Sequence, residues 1–132
     1  MRQKPSLTSS DVHIMAKACK AEAEKNNWNV TVAIVDDAGI LLYLDRMDGA
    51  ASTTAEVAAA KAKTAAITRR PSKFWEDRVR ERPAFMNFPG VLQIQGGLPI
   101  VHQGECVGAI GVSGVQSQDD EQIAKAGIDA LG

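Results

Sequence analysis

Residues 96–117, GGLPIVHQGECVGAIGVSGVQS, set the tightest limits on what this chain can fold into. Two runs rich in β-branched residues, 99–103 and 106–112, flank Gly104-Glu105, and a Gly-first pair suits a two-residue II′ hairpin turn. The spacing predicts a hairpin at the centre of a sheet. Gly96-Gly97 lead into it, Gly108 and Gly111 interrupt its second strand, and Gly114 leaves it. The backbone is therefore repeatedly bare where a helix, another subunit or a ligand must come close.

The remaining segments supply partners for that hairpin. Thr8 with Asp11 three residues on, and Leu7 spaced with Val12 as a hydrophobic staple, start a helix that runs to about Lys25. Its stripe is Val12, Met15, Ala16, Cys19 and Ala23, and His13 lies off it beside Lys17 and Lys20. Residues 30–36 and 40–45 read as strands joined by Asp37-Ala38-Gly39; without the alternating ligands of a calcium loop, Asp36 and Asp37 are turn residues. A polar turn at 46–50 precedes a second helix, with Thr53 and Glu56 as its capping box and an Ala-rich body at 55–67 able to sit close on a sheet. Arg69-Arg70-Pro71 ends it, and Ser72 caps a short helix, 73–80, carrying Phe74 and Trp75.

The apolar loop 82–90, RPAFMNFPG, should cover the core, a pocket or a neighbouring subunit. Residues 91–95 form another strand candidate. Ser117 caps a last helix, 118–131, whose Asp119, Asp120 and Glu121 suit the positive end of a helix dipole better than a metal cluster. Helix, two strands, two helices, three strands and helix make an α+β fold, an antiparallel sheet with helices packed on it, in one domain over residues 1–132.

Fifteen basic and 16 acidic residues are interspersed, giving a net charge of −1 and no electrostatic footprint for nucleic acid or an acidic membrane. No 18-residue apolar run or signal-like apolar region occurs, so the chain reads as soluble and cytoplasmic. Cys19 and Cys106 match neither a disulfide framework nor a zinc site and read as buried apolar thiols.

Four segments, VAIVDDAGILLYLDRMDGA, EVAAAKAKTAA, GGLPIVHQGECVGAIGVSG and QDDEQIAKAGIDAL, together resemble the GlcG/HbpS-like family, which includes the C-terminal domain of PduO-type proteins. The likeness spans residues 7–131. It implies a profilin-like α+β domain with a five-stranded antiparallel sheet, assembled as dimers or higher homo-oligomers. It also implies a small-ligand-binding protein, haem first, in an accessory or sensor role, because relatives bind haem, some through a histidine. His102 near the hairpin tip and the aromatic segment 74–88 depart from the family's common pattern.

Haem ligation needs a neutral imidazole or soft donor, with basic groups for the propionates. His13, one turn from Lys17 and two from Lys20, is the expected iron ligand, whereas His102 reads as a surface or interface residue. Met47, Met86 and Cys106 are soft donors that buried packing explains as well.

The alternative is a lyase, isomerase or hydrolase acting on a small aromatic or carboxylate metabolite at a pocket between subunits. Arg46 would grip a carboxylate, Asp48 or Glu56 would move protons, Lys61 would anchor an anion or act as base, Arg70 would add charge, and Gly96 and Gly97 would offer bare N–H groups. Each has an ordinary reading beside it: turn residue for Asp48, helix cap for Glu56, solvated helix face for Lys61, helix-end cation for Arg70 and simple loop for the glycines. Ser113 in GVSGV does not match a nucleophile elbow, and neither a phosphate-binding loop nor a dinucleotide fingerprint is present. A purely structural, oligomeric accessory protein is the third reading.

Overall fold

The computed structural model describes all of residues 1–132. In chain order the elements are α1 (Ser9–Lys25), β1 (Thr31–Asp36), β2 (Leu41–Arg46), α2 (Thr54–Thr68), α3 (Ser72–Glu81), a 3₁₀ turn (Pro83–Asn87), β3 (Gly97–His102), β4 (Glu105–Ser113) and α4 (Ser117–Leu131). The sheet is antiparallel, with strand order β2-β1-β4-β3. It has four strands, not five. Residues 91–95 form no strand: Leu92 N donates to Thr64 Oγ1 at 2.8 Å and Gln95 N to Glu76 Oε1 at 3.2 Å, both on helices, and Ile94 N donates to the Leu92 carbonyl at 3.0 Å.

The Gly-rich hairpin forms with β4 in the sheet interior and β3 on its edge. Its turn falls one residue earlier than the Gly-first pair predicts. Gln103 and Gly104 both have positive φ, 49° and 80°, as a type I′ turn requires, so His102 lies opposite Glu105 instead of Val107.

Register sorts the residues into two faces, because directly paired residues point the same way. Ile110 lies opposite Ile34 and Leu98, and Gly111 opposite Ala33 and Gly97. One face packs Met15, Cys19, Ile34, Ile110 and Ile123 under α1 and α4. The other packs Ala33, Val35 and Ala109 against Ala58, Ala62, Ala65 and Ala66 of α2. A side chain at Gly111 would collide with the Ala58 carbonyl and the Ala62 backbone nitrogen, so the visitor to the bare backbone is α2 itself.

Local signals held unevenly. The α1 capping box forms, with Asp11 N donating to Thr8 Oγ1 at 3.1 Å and Thr8 N to Asp11 Oδ2 at 2.9 Å, and the buried stripe is the expected one. The Thr53 box does not form, because Thr53 is itself helical in backbone angles; Thr54 is buried instead, its hydroxyl 2.8 Å from that of Thr31. Ser72 is likewise no cap. Its hydroxyl accepts from the Gly97 N–H at 2.9 Å. Ser117 also caps nothing. Asp36 behaves as a turn residue, its carboxylate accepting from Ala38 and Ile40 at 2.9 Å each.

The aromatic segment packs chiefly on itself. Trp75 sits between Phe74, Phe85 and Phe88 with ring centroids 4.9–5.5 Å away, and its Nε1 donates to Thr68 Oγ1 at 2.9 Å. Arg70 lies 4.3 Å over Phe74, and Arg78 and Arg82 lie over Phe85. Ser72 alone is buried in this stretch, and Met86, expected to be packed away, is 68% exposed.

Candidate functional site

Three of the residues singled out from sequence, Lys61, Gly96 and Gly97, meet at the start of β3. Lys61 lies on the sheet side of α2, with Ala58, Ala62 and Ala65, and is 2% exposed. It is therefore not on a solvated helix face. Its ammonium donates to Asp120 Oδ2 at 2.9 Å and to the Val112 carbonyl at 3.0 Å. The passage exists because Gly96 has no side chain: a Cβ there, at φ 135°, would lie 2.8 Å from Lys61 Nζ. Gly97 presses on the Lys61 carbonyl, and its N–H is spent on Ser72.

Asp120, from the first turn of α4, also accepts the Val115 N–H at 3.1 Å. Lys61 thus joins the α2 layer to the α4 layer across the sheet. Burial raises the Asp120 carboxyl above the usual carboxylate range, against the pull of the Lys61 ammonium. With both charges satisfied internally, the pair is built as a cross-brace. Its partner was missed because the acidic run reads as a dipole feature; the signal for burial was available, since Lys61 falls in register with Ala58, Ala62 and Ala65.

A second group lies along the flank of α1 toward β2. Arg46, Met47 and Asp48 line a pocket of about 280 Å³ with Lys20, Glu24, Asn29 and Asp45. Arg46 and Asp48 are exposed and take part in no ion pair. Lys20 reaches Asp45 only at 3.9 Å, an exposed contact of little strength. His13 is exposed on the same flank, seven residues or about 10 Å along the helix from Lys20, with Lys17 between them. The group therefore offers one imidazole and three cations, Lys17, Lys20 and Arg46, interspersed with the carboxylates of Glu24, Asp45 and Asp48.

A larger cleft, about 620 Å³, lies elsewhere, between the start of α1, the outer edge of β3 and the end of α4. Leu7, Ile100, Val107, Ile128 and Leu131 give it an apolar lining, and His102 stands at its rim with Asp11 and Asp129. Those carboxylates suit a neutral or cationic guest. Cys106 is half-buried, and burial raises its thiol above the ordinary value, which disfavours the thiolate a nucleophile needs. Glu56 caps nothing and is exposed, Arg70 stacks on Phe74, and Ser113 closes β4 as a strand-end residue. No helix is long and apolar enough to cross a membrane.

A family model described as "Haem degrading protein HbpS-like" matches residues 7–129. Protein GlcG of Escherichia coli (strain K12) is 41% identical over 114 residues, covering 86% of this chain and 85% of GlcG. Among solved structures, a double mutant of HbpS from Streptomyces reticuli is similar with a TM-score of 0.92 and 37% identity, over 100% of this chain and 91% of that one. PduOC, solved as a haem complex, is similar with a TM-score of 0.89 and 27% identity, over 96% of this chain and 95% of that one.

Proposed function

The chain belongs to the GlcG/HbpS-like family, and from that premise we propose that it is a haem-binding accessory or sensor protein with His13 as the iron ligand. The observation that carries this reading is the α1 flank: an exposed imidazole with Lys17 and Lys20 one and two turns away and Arg46 beside Lys20. The donor set fits the group, since a neutral imidazole serves iron and ammonium or guanidinium groups serve propionates. His102 has the apolar cleft, but no lysine or arginine lines it to meet a propionate.

Bound haem would supply an iron centre able to take further ligands or change oxidation state. This chain's residues would hold the iron through His13 and orient the anionic edge through Lys17, Lys20 and Arg46. His13 stands on a convex helix, so a second subunit would supply the opposite apolar wall, and self-association is part of the proposal. A cytoplasmic location belongs to it too, supported by the free thiols Cys19 and Cys106.

The test is a visible-absorption titration of the purified protein with haemin. A saturable Soret change at a fixed stoichiometry is expected, lost in His13→Ala and kept in His102→Ala. Non-saturating, featureless binding by the folded protein would remove the haem reading, and loss in His102→Ala alone would move the ligand to the cleft.

A further inference from the structure

The cleft between the start of α1, the outer edge of β3 and the end of α4 has no part in the haem reading, yet it has the dimensions and lining of a small-molecule site. Its volume, about 620 Å³, falls in the range that such sites occupy. Ile100 and Val107, both buried members of the core, reach its surface, and Leu7, Ile128 and Leu131, partly buried, pack beside them. An apolar body laid on these five side chains would take their remaining exposed area out of water.

The charges around the cleft select the rest of the guest. Its polar side chains are Ser6, Asp11, His102 and Asp129, and no lysine or arginine lines it. The cations closest in sequence are already engaged: Arg2 with Glu105, Lys4 with Asp37 and Lys125 with Asp129. Each lining carboxylate is only half used. Asp11 Oδ2 accepts the Thr8 N–H at 2.9 Å, and Asp129 Oδ2 accepts from Lys125 at 2.7 Å in an exposed contact of little strength, while Oδ1 of each has no partner. The helix ends favour the same sign of guest. α4 finishes beside the cleft at Leu131 and turns the negative end of its dipole toward it, whereas the positive end of α1 is offset by its own capping box, Thr8 with Asp11. A neutral His102 imidazole would add one more acceptor for an N–H group.

We infer that this cleft is a binding site for a small organic amine, with an apolar body resting on Ile100, Val107 and Ile128 and an ammonium group taken by the open oxygens of Asp11 and Asp129. A carboxylate on the same body would meet two like charges with no cation to offset them, and a hydroxyl would gain only neutral hydrogen bonds, so the ammonium has the advantage over both. The inference does not rest on haem binding, whose residues lie on the flank of α1 toward β2.

The experiment is an amide NMR titration of the whole chain at pH 7 with three probes of one body and different charge: 4-phenylbutylamine, 4-phenylbutanol and 4-phenylbutanoate. The amine should give saturable shifts centred on Leu7, Ile100, Val107 and Ile128 and bind about tenfold or more tightly than the acid, with the alcohol between them. The double variant Asp11→Asn/Asp129→Asn keeps the apolar lining and should bring the amine down to the affinity of the alcohol. Asp129→Asn alone lies outside any cap and should weaken the amine about threefold, so the test survives any loosening of α1 by Asp11→Asn. The amide spectrum itself reports whether each variant is folded. Absence of saturable shifts at the cleft, shifts centred elsewhere, an acid that binds as tightly as the amine, or a preference for the amine that outlasts both substitutions would each overturn the inference.

Discussion

On the α1/α4 side of the sheet, Met15, Ile34, Ile110 and Ile123 interlock as large side chains. On the α2 side, Gly111 lies against the backbone of Ala58 and Ala62, and Gly97 against that of Lys61, so closely that helix and sheet backbones define the contact. Large residues have rotamers with which to adjust, and loss of a methylene is shared among several neighbours. An alanine-on-glycine contact has no such freedom, since any added atom meets a carbonyl or an amide. The same closeness holds Lys61 where it can cross to Asp120, so the small-residue face carries the chain's fully buried ion pair.

If that brace joins the two faces, removing one end should be the most damaging change to the comparison. Lys61→Met keeps the length and apolar stem but leaves Asp120 buried with only the Val115 N–H, and should cost about 3–5 kcal/mol in denaturant unfolding. Lys61→Met with Asp120→Leu should recover most of the loss, because an apolar pair of similar size has no stranded charge. Equal losses in the single and double variants would show that shape, not charge pairing, holds the layers together.

A one-carbon experiment sharpens the contrast on adjacent residues of β4. Ile110→Val removes a carbon from the large-residue face and should cost about 0.5–1.5 kcal/mol. Gly111→Ala adds one to the α2 face and should cost about 1–3 kcal/mol, despite the lower unfolded-state entropy that normally favours alanine. Gly111 has no positive φ, so backbone strain does not enter. Should Gly111→Ala prove neutral, α2 can retreat from the sheet and the two faces are equally plastic.

What could be read from the sequence divides along the same line. The α1 cap and stripe, the β1–β2 hairpin and the Gly-rich hairpin were legible because local chemistry specifies them. Lys61 was misplaced because its type argues for solvent while its position, in register with Ala58, Ala62 and Ala65, argues for burial. Thr53 and Ser72 carried cap signals that tertiary contacts overrode. Residues 91–95 looked like a strand from composition alone, whereas the N–H groups of Leu92 and Gln95 are taken by Thr64 and Glu76, far away in sequence. Arg46, Asp48 and His13 were named one by one, but their shared flank depends on how α1 packs beside β2, which no local pattern states.

The smallest expected effect concerns how each helix is fastened. α1 begins with a complete capping box, whereas α2 has no side-chain cap and relies on contact with the sheet. The Thr8 backbone N–H, then its hydroxyl, holds the exposed Asp11 carboxyl below the ordinary carboxylate value. A folded-state pKa below the unfolded one stabilises the fold above the unfolded value, and that contribution fades as pH falls through the folded one. Wild type should therefore exceed Asp11→Asn in stability at neutral pH, and the gap should narrow below about pH 4 as Asp11 takes up its proton. NMR titration of the Asp11 carboxyl should show the depressed midpoint in wild type and a return toward the ordinary value in Thr8→Ala. A gap that stays constant down to acid pH would mean that α1, like α2, is held by its packed face and not by its cap.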